Sequence, residues 1–358
     1  MTATILLFVA GLILLIFGAE LLVRGASRLA AAFGVSPLVI GLTIVALGTA
    51  SPEIAVSLQA AANGQGDLTL GNVLGSNIFN ILFILGVTAL AAPIVIAEQL
   101  IRKDAPIMLG VSLLVLALAL DRLLGIPDSL ILLIGVISYT VFAMRQSRAE
   151  SKVVQKEYAQ EYAEKEPHTA GNTMKNVLLI VGGLGLLVLG SRWLVDSAVA
   201  IASALGVSEL VIGLTIVAVG TSLPEVATSI VAALKKENDI AVGNVVGSNI
   251  FNLLGVLGVG ALVAPGGIPV AERILRQDFP VMIFVALVTL PVFYIDNRIS
   301  RLEGGLLLVY YILYLSYIVL RAVASPALEF VQLFLMWFVP LTFAALVIFA
   351  VRSARRRS

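Results

Sequence analysis

The chain has 358 residues, of which 59% are hydrophobic and 13% charged, and its net charge is +1. An ordinary soluble domain carries about 25% charged residues, so there is too little polar sequence to cover a soluble core, and the near-neutral balance excludes an electrostatic nucleic-acid binder. The absence of cysteine excludes disulfides, thiolate metal sites and cysteine nucleophiles.

Apolar runs of about 20 residues recur along the chain and read as membrane-crossing helices. In order they cover 4–23, 37–62, 71–93, 105–120, 126–144, 174–195, 209–234, 243–265, 279–295, 304–321 and 328–351, eleven in all. The first lacks the basic lead and small-residue cleavage site of a signal peptide and reads as a retained span. Between the fifth and sixth lies RQSRAESKVVQKEYAQEYAEKEPHTAGNTMK, a solvated linker of mixed charge that holds the only histidine, His168. The expected division is a first five-helix repeat over 1–145, a cytoplasmic linker over 146–173, a second repeat over 174–321, and an additional helix with a basic tail over 322–358.

Charge chooses an orientation. With the N-terminus outside, 18 of the 23 basic residues fall on the inner side, among them Lys235, Lys236, Arg298, Arg301 and the terminal arginines. Cytoplasmic loops favour Lys and Arg, so the chain is expected in the plasma (inner) membrane with its N-terminus outside and its C-terminus cytoplasmic. An eleventh span is needed to bring the arginine tail inside.

The halves repeat. At an offset of 172, Gly34–Ser57 matches Gly206–Ser229 at 18 of 24 positions, and GNVLGSNIFN at 71–80 matches GNVVGSNIFN at 243–252. The register extends back to FGAELLV and LGSRWLV, and forward with a two-residue slip to KDAPIM and QDFPVM. Each copy holds five spans. An odd number makes the second copy enter the bilayer from the opposite face, and inverted repeats of this kind build secondary transporters with a site at their midplane interface.

The polar residues kept inside the repeat carry the chemistry. In GTASPE, Pro52 removes a backbone donor and Gly48 weakens the helix before it, so a break is expected between Ala46 and Pro52; GTSLPE repeats it at Pro224. Ser51 is expected to cap the helix after the first break, a role Leu223 cannot fill. Glu53 and Glu225 then stand at helix N-termini, well inside spans where a charge costs roughly 2.5–3.5 kcal/mol. Two such acids converging on a pseudo-two-fold axis repel unless a divalent cation, or two monovalent ones, lies between them. The donors nearby are all oxygens, which suits Ca²⁺ or Na⁺ rather than zinc or copper. Asn72, Ser76 and Asn80 share one helix face, as do Asn244, Ser248 and Asn252. Of these, Ser76, Asn80, Ser248 and Asn252 read as pocket, while Asn77 and Asn249 read as interhelical glue. Gly71, Gly75, Gly243 and Gly247 form seams for close helix approach.

GTASPEIAVS and GTSLPEVATS, each followed by GSNIFN, resemble the two α-repeats of the calcium/cation antiporter superfamily, in its prokaryotic sodium/calcium exchanger branch, over about residues 1–321. The resemblance implies an all-α polytopic membrane protein, two inverted five-helix repeats plus an extra C-terminal helix. It implies a calcium site of Glu53, Glu225 and the main-chain oxygens of Thr49 and Thr221. Flanking sodium sites would use the Ala46 and Ala218 carbonyls, the hydroxyls of Thr49, Thr221, Ser76, Ser248 and Ser222, and Asn80 and Asn252. It also implies that spans one and six slide against the rest. The family often has Ser where this chain has Ala50, and some members have Asp where it has Asn252, so this cage carries two formal charges. The reading is an alternating-access Na⁺/Ca²⁺ antiporter in the lipid bilayer, with no cofactor and no enzymatic role. Proton or potassium coupling, and a cation channel, are its rivals.

Overall fold

In lipid every backbone N–H and C=O must find its partner within the structure, which leaves helices as the element these apolar runs form. The computed structural model describes residues 2–162, 170–207 and 209–357, excluding the side chains of 147–162, 170–171, 209–210, 214, 217–218 and 356–357. Helix α1 (Thr2–Phe33) leads to α2 (Pro37–Thr49) and α3 (Ser51–Ala62), two pieces bent 52° apart. Then come α4 (Gly66–Ala91), α5 (Leu100–Asp121) and α6 (Ile126–Tyr162). The second half repeats the order as α7 (Ala170–Ala204), α8 (209–220), α9 (Leu223–Leu234), α10 (Asn238–Val263), α11 (Ile274–Tyr294) and α12 (Arg301–Ala322), followed by α13 (Leu328–Arg357).

Among the described residues nine helices are long and apolar enough to cross a membrane, ten with the bent α2–α3 pair. The seventh expected crossing, over 209–234, is divided by the break before Pro224 into α8 and α9, each too short alone. Helices α6 and α7 extend into the expected linker as far as Tyr162 and from Ala170; His168 lies outside the described residues.

The halves interlock. Helices α4 and α10 are buried over 78% and 83% of their most apolar stretch, against 28% for α1 and α7 and 6% for α13, so α4 and α10 form the centre and α1, α7 and α13 the periphery. Helix α4 packs on α3 and α12, and α10 packs equivalently on α9 and α6. On the periphery α1 and α7 share a long glycine seam. A Cβ at Gly11 or Gly18 would lie 2.8 Å from the Gly190 or Gly183 carbonyl oxygen, a backbone-to-backbone approach that small residues permit.

Two short strand pairs join loops of opposite halves. Strand β1 (Ile94–Val95), after α4, pairs antiparallel with β4 (Arg298–Ile299), before α12; β2 (Leu123–Leu124) pairs with β3 (Ile268–Pro269). Helix α5 lies between β1 and β2, so the pairs sit on opposite faces. The repeat-equivalent strands β1 and β3 are thus on opposite faces too, as inversion requires. Helix α13 is fastened to this body at both ends of its contact. The Tyr310 and Thr342 hydroxyls are 2.5 Å apart, and Ser353 Oγ donates to Asp296 Oδ1 at 3.0 Å.

A further symmetry had no sequence signal. Five-residue π-helical segments occupy Gly41–Val45, Asn80–Ile84 and Leu100–Asp104, and again Gly213–Val217, Asn252–Val256 and Ile274–Asp278. Such wide turns often mark functional positions, and two of them begin at Asn80 and Asn252.

Candidate functional site

The helix breaks follow from the prolines. Pro52 has no N–H, so the Gly48 carbonyl loses its helical donor and accepts from Ser51 Oγ at 2.7 Å. The Gly220 carbonyl stands in the same relation to Pro224 and accepts from Ser191 Oγ at 2.7 Å. The residues that turn the chain are Ala50 (ψ 5°) and Ser222 (ψ 7°). The expected Ser51 cap is therefore corrected: Ala50 holds the cap position, and Ser51 is already helical with its hydroxyl folded back onto Gly48. Both breaks leave a glutamate in the first turn of the following helix, where the dipole favours a carboxylate.

Those carboxylates cross over between repeats. Glu53 is 2% exposed and Glu225 is 1% exposed. Ser222 Oγ, from the second repeat, donates to Glu53 Oε1 at 2.5 Å, with Thr221 beside it. Glu225 faces Thr49 of the first repeat and lies within electrostatic reach of Glu53. Glu53 Oε2 and Glu225 Oε2 accept no hydrogen bond. Among the described residues no Lys or Arg pairs with either acid, and no group of three His, Cys, Asp or Glu side chains gathers anywhere. The donor set is two carboxylates and neutral oxygens, a hard-cation set without imidazole or sulfur.

The remaining candidates surround this pair. The Ala46 carbonyl is 3.4 Å from both Ser248 Oγ and Thr49 Oγ1, and Thr49 Oγ1 donates to Asn244 Oδ1 at 3.0 Å. Ser76 Oγ and Thr221 Oγ1 are buried without partners, as are Asn80 Oδ1 and Asn252 Oδ1. Ala218 opens the last turn of α8, and its side chain lies outside the described residues. A cavity of about 650 Å³ opens beside the site. Gly71, Asn72 and Ser76 of α4 line it, together with Thr221, Asp278 of α11 and Tyr314 of α12.

Sequence reasoning omitted a supporting set. Asn72 Nδ2 donates to Ser57 Oγ at 2.9 Å, and Asn244 Nδ2 donates to Ser229 Oγ at 3.1 Å, tying α4 to α3 and α10 to α9. The signal was present, because all four residues are identical across the repeat. The surface acids behave differently. Glu20 pairs with Arg24 at 3.1 Å and with Lys235 at 2.9 Å, and so links α1 to the end of α9.

Known proteins resemble this chain over nearly their whole length. The family model described as sodium/calcium exchanger protein matches residues 3–145 and 175–320. A putative antiporter, CaxA, of Alkalimonas amylolytica is 42% identical over 318 residues, covering 88% of this chain and 98% of the relative. The sodium/calcium exchanger MaX1 of Methanosarcina acetivorans is 32% identical with the same coverage. The solved sodium-calcium exchanger NCX_Mj, soaked without sodium or calcium, superposes with a TM-score of 0.75 at 31% identity, covering 88% of this chain and 98% of that one. The family match ends at residue 320, so α13 lies beyond it.

Proposed function

The chain belongs to the sodium/calcium exchanger family, and from that premise we propose that it exchanges Ca²⁺ for Na⁺ by alternating access at the Glu53–Glu225 pair. One observation carries the reading: two buried carboxylates, one from each inverted repeat, share an oxygen-lined cage with no basic side chain to neutralise them. In water-poor surroundings two such charges repel, and a bound cation removes the conflict. One Ca²⁺ balances both; two Na⁺ do the same. Competition for one cage therefore couples the ions without any further device.

In this reading Glu53, Glu225 and the main-chain oxygens of Thr49 and Thr221 hold calcium. Sodium uses the Ala46 and Ala218 carbonyls with the hydroxyls of Thr49, Thr221, Ser76, Ser248 and Ser222, and the amide oxygens of Asn80 and Asn252. Residues 1–145 and 174–321 are the two transport repeats, 146–173 links them, and 322–358 add the peripheral helix. The basic-residue count assigns the N-terminus to the outside of the plasma (inner) membrane and the C-terminus to the cytoplasm, so the cavity opens outward. Helices α1 and α7, locked backbone to backbone along their glycines, slide as one body across the centre.

The test is calcium uptake into vesicles loaded with sodium. Uphill uptake driven by the sodium gradient supports exchange; uptake that only dissipates a calcium gradient is a channel, and uptake driven by protons or potassium reassigns the coupling ion. Glu53→Gln or Glu225→Gln should reduce the flux at least about a hundredfold, since each removes a charge from a desolvated site. Near-normal flux in both variants would reject the cage.

A further inference from the structure

The two asparagines that lie between the repeats do more than hold them together. Asn77 Nδ2 donates to the Asn249 backbone carbonyl at 3.3 Å, and Asn249 Nδ2 donates to the Asn77 carbonyl at 3.3 Å. A backbone carbonyl only accepts, so each amide must turn its NH₂ toward the carbonyl and its oxygen away. The matched methionines fit the same orientation, with Met282 Sδ 3.9 Å from Asn77 Nδ2 and Met108 Sδ 3.6 Å from Asn249 Nδ2.

The orientation propagates. The oxygen that Asn249 turns away accepts from Asn80 Nδ2 at 2.9 Å, and the oxygen of Asn77 accepts from Asn252 Nδ2 at 3.2 Å. An amide with its NH₂ committed presents its oxygen on the other side. Asn80 Oδ1 and Asn252 Oδ1 are indeed buried and accept no hydrogen bond. All four side chains are 2% exposed or less, so water does not supply the orientation.

Resting on the exchange reading above, we infer that Asn77 and Asn249 are positioning residues for the ion cage. Each fixes the amide of the other repeat's site asparagine, Asn252 for Asn77 and Asn80 for Asn249, with its oxygen turned to the cation. The arrangement also bears on selectivity. An ionised aspartate at 80 or 252 has no donor to give the clamp and would set its oxygen against another amide oxygen. The clamp therefore needs a donor at both positions, an amide or a protonated acid, which holds the cage at the two charges of Glu53 and Glu225.

The experiment is a double-mutant cycle on the full-length protein in sodium-loaded proteoliposomes, reading KM and kcat for calcium uptake, with melting of the same preparations in detergent. Asn252→Ala should raise the KM about tenfold, the effect of losing one buried polar ligand. Asn77→Ala should raise it nearly as much, and the double variant should be no worse than Asn252→Ala alone, because both act through one oxygen. Asn249→Ala with Asn80→Ala is the symmetry-related cycle. A merely structural role predicts lower melting temperature with an unchanged KM in the protein that survives, and that result, or additive effects, overturns the inference. If the alanine variants do not fold, Asn77→Asp keeps the acceptor for Asn252 and must retain a lower KM than Asn252→Gly; a higher one overturns the inference equally. Parent protein that exchanges no calcium removes the exchange reading instead, and Asn252→Ala with parental KM removes Asn252 from the cage and the clamp's role with it.

Discussion

Helices α10 and α4 carry nearly the same ten residues, yet they meet their neighbours differently. On α10 a Cβ at Gly247 would lie 2.5 Å from the Leu42 carbonyl oxygen, and one at Gly243 would lie 2.9 Å from that of Leu38, so α2 is pressed backbone to backbone against it. On α4 a Cβ at Gly71 or Gly75 meets nothing within 4 Å, and neither does one at Gly213 on the facing α8. One seam is shut and its equivalent is the wall of the cavity. The glycines of the open seam have no packing reason in this conformation. Alternating access, as proposed above, gives them one: an opposite-facing conformation in which α8 would lie on α4 as α2 now lies on α10.

The largest break in that comparison should come from adding bulk to each seam. Gly247→Leu overpacks the shut side, which should cost about 1–3 kcal/mol or more and lower the melting temperature. Gly75→Leu fits the open side, so stability and calcium binding from that side should persist while uptake falls about tenfold or more, since the penalty is met only on closing. Equal effects on stability would mean the seams are not alternates. A smaller effect compares reactivity. The chain has no native cysteine, so Asn72→Cys, in the cavity wall, should react with an impermeant maleimide at least about ten times faster than Asn244→Cys, whose parent residue is fully buried. Matching rates would place the cavity elsewhere. The smallest effect should come from acid, which acts on the pair shared by both sides and cannot distinguish them. Protons compete with the cation for Glu53 and Glu225, so uptake should fall several-fold between about pH 8 and pH 5.5, and a flat profile would argue against competition there.

Much of this was legible from polar residues retained in apolar runs. The proline breaks and the buried glutamates follow from residues that would be costly in lipid without a purpose, and the inversion from an odd number of spans in each repeat. Ser51 misled because a serine before Pro-Glu looks like a cap, whereas the helix begins at Ser51 itself and Ala50 holds the cap position. The crossing of Glu53 to Ser222 and of Glu225 to Thr49 depends on how the halves interdigitate, which no local pattern encodes. The π segments leave no periodicity to read, because five residues are too few to show one. The difference between the seams left no trace, because one glycine motif is written twice and packing alone decides which copy is pressed shut.

The strand pairs β1–β4 and β2–β3 act as rivets, one through each rim of the molecule. Opening the halves like a book about a central hinge would break one of these ladders, so the two pairs favour motions that leave both rims joined.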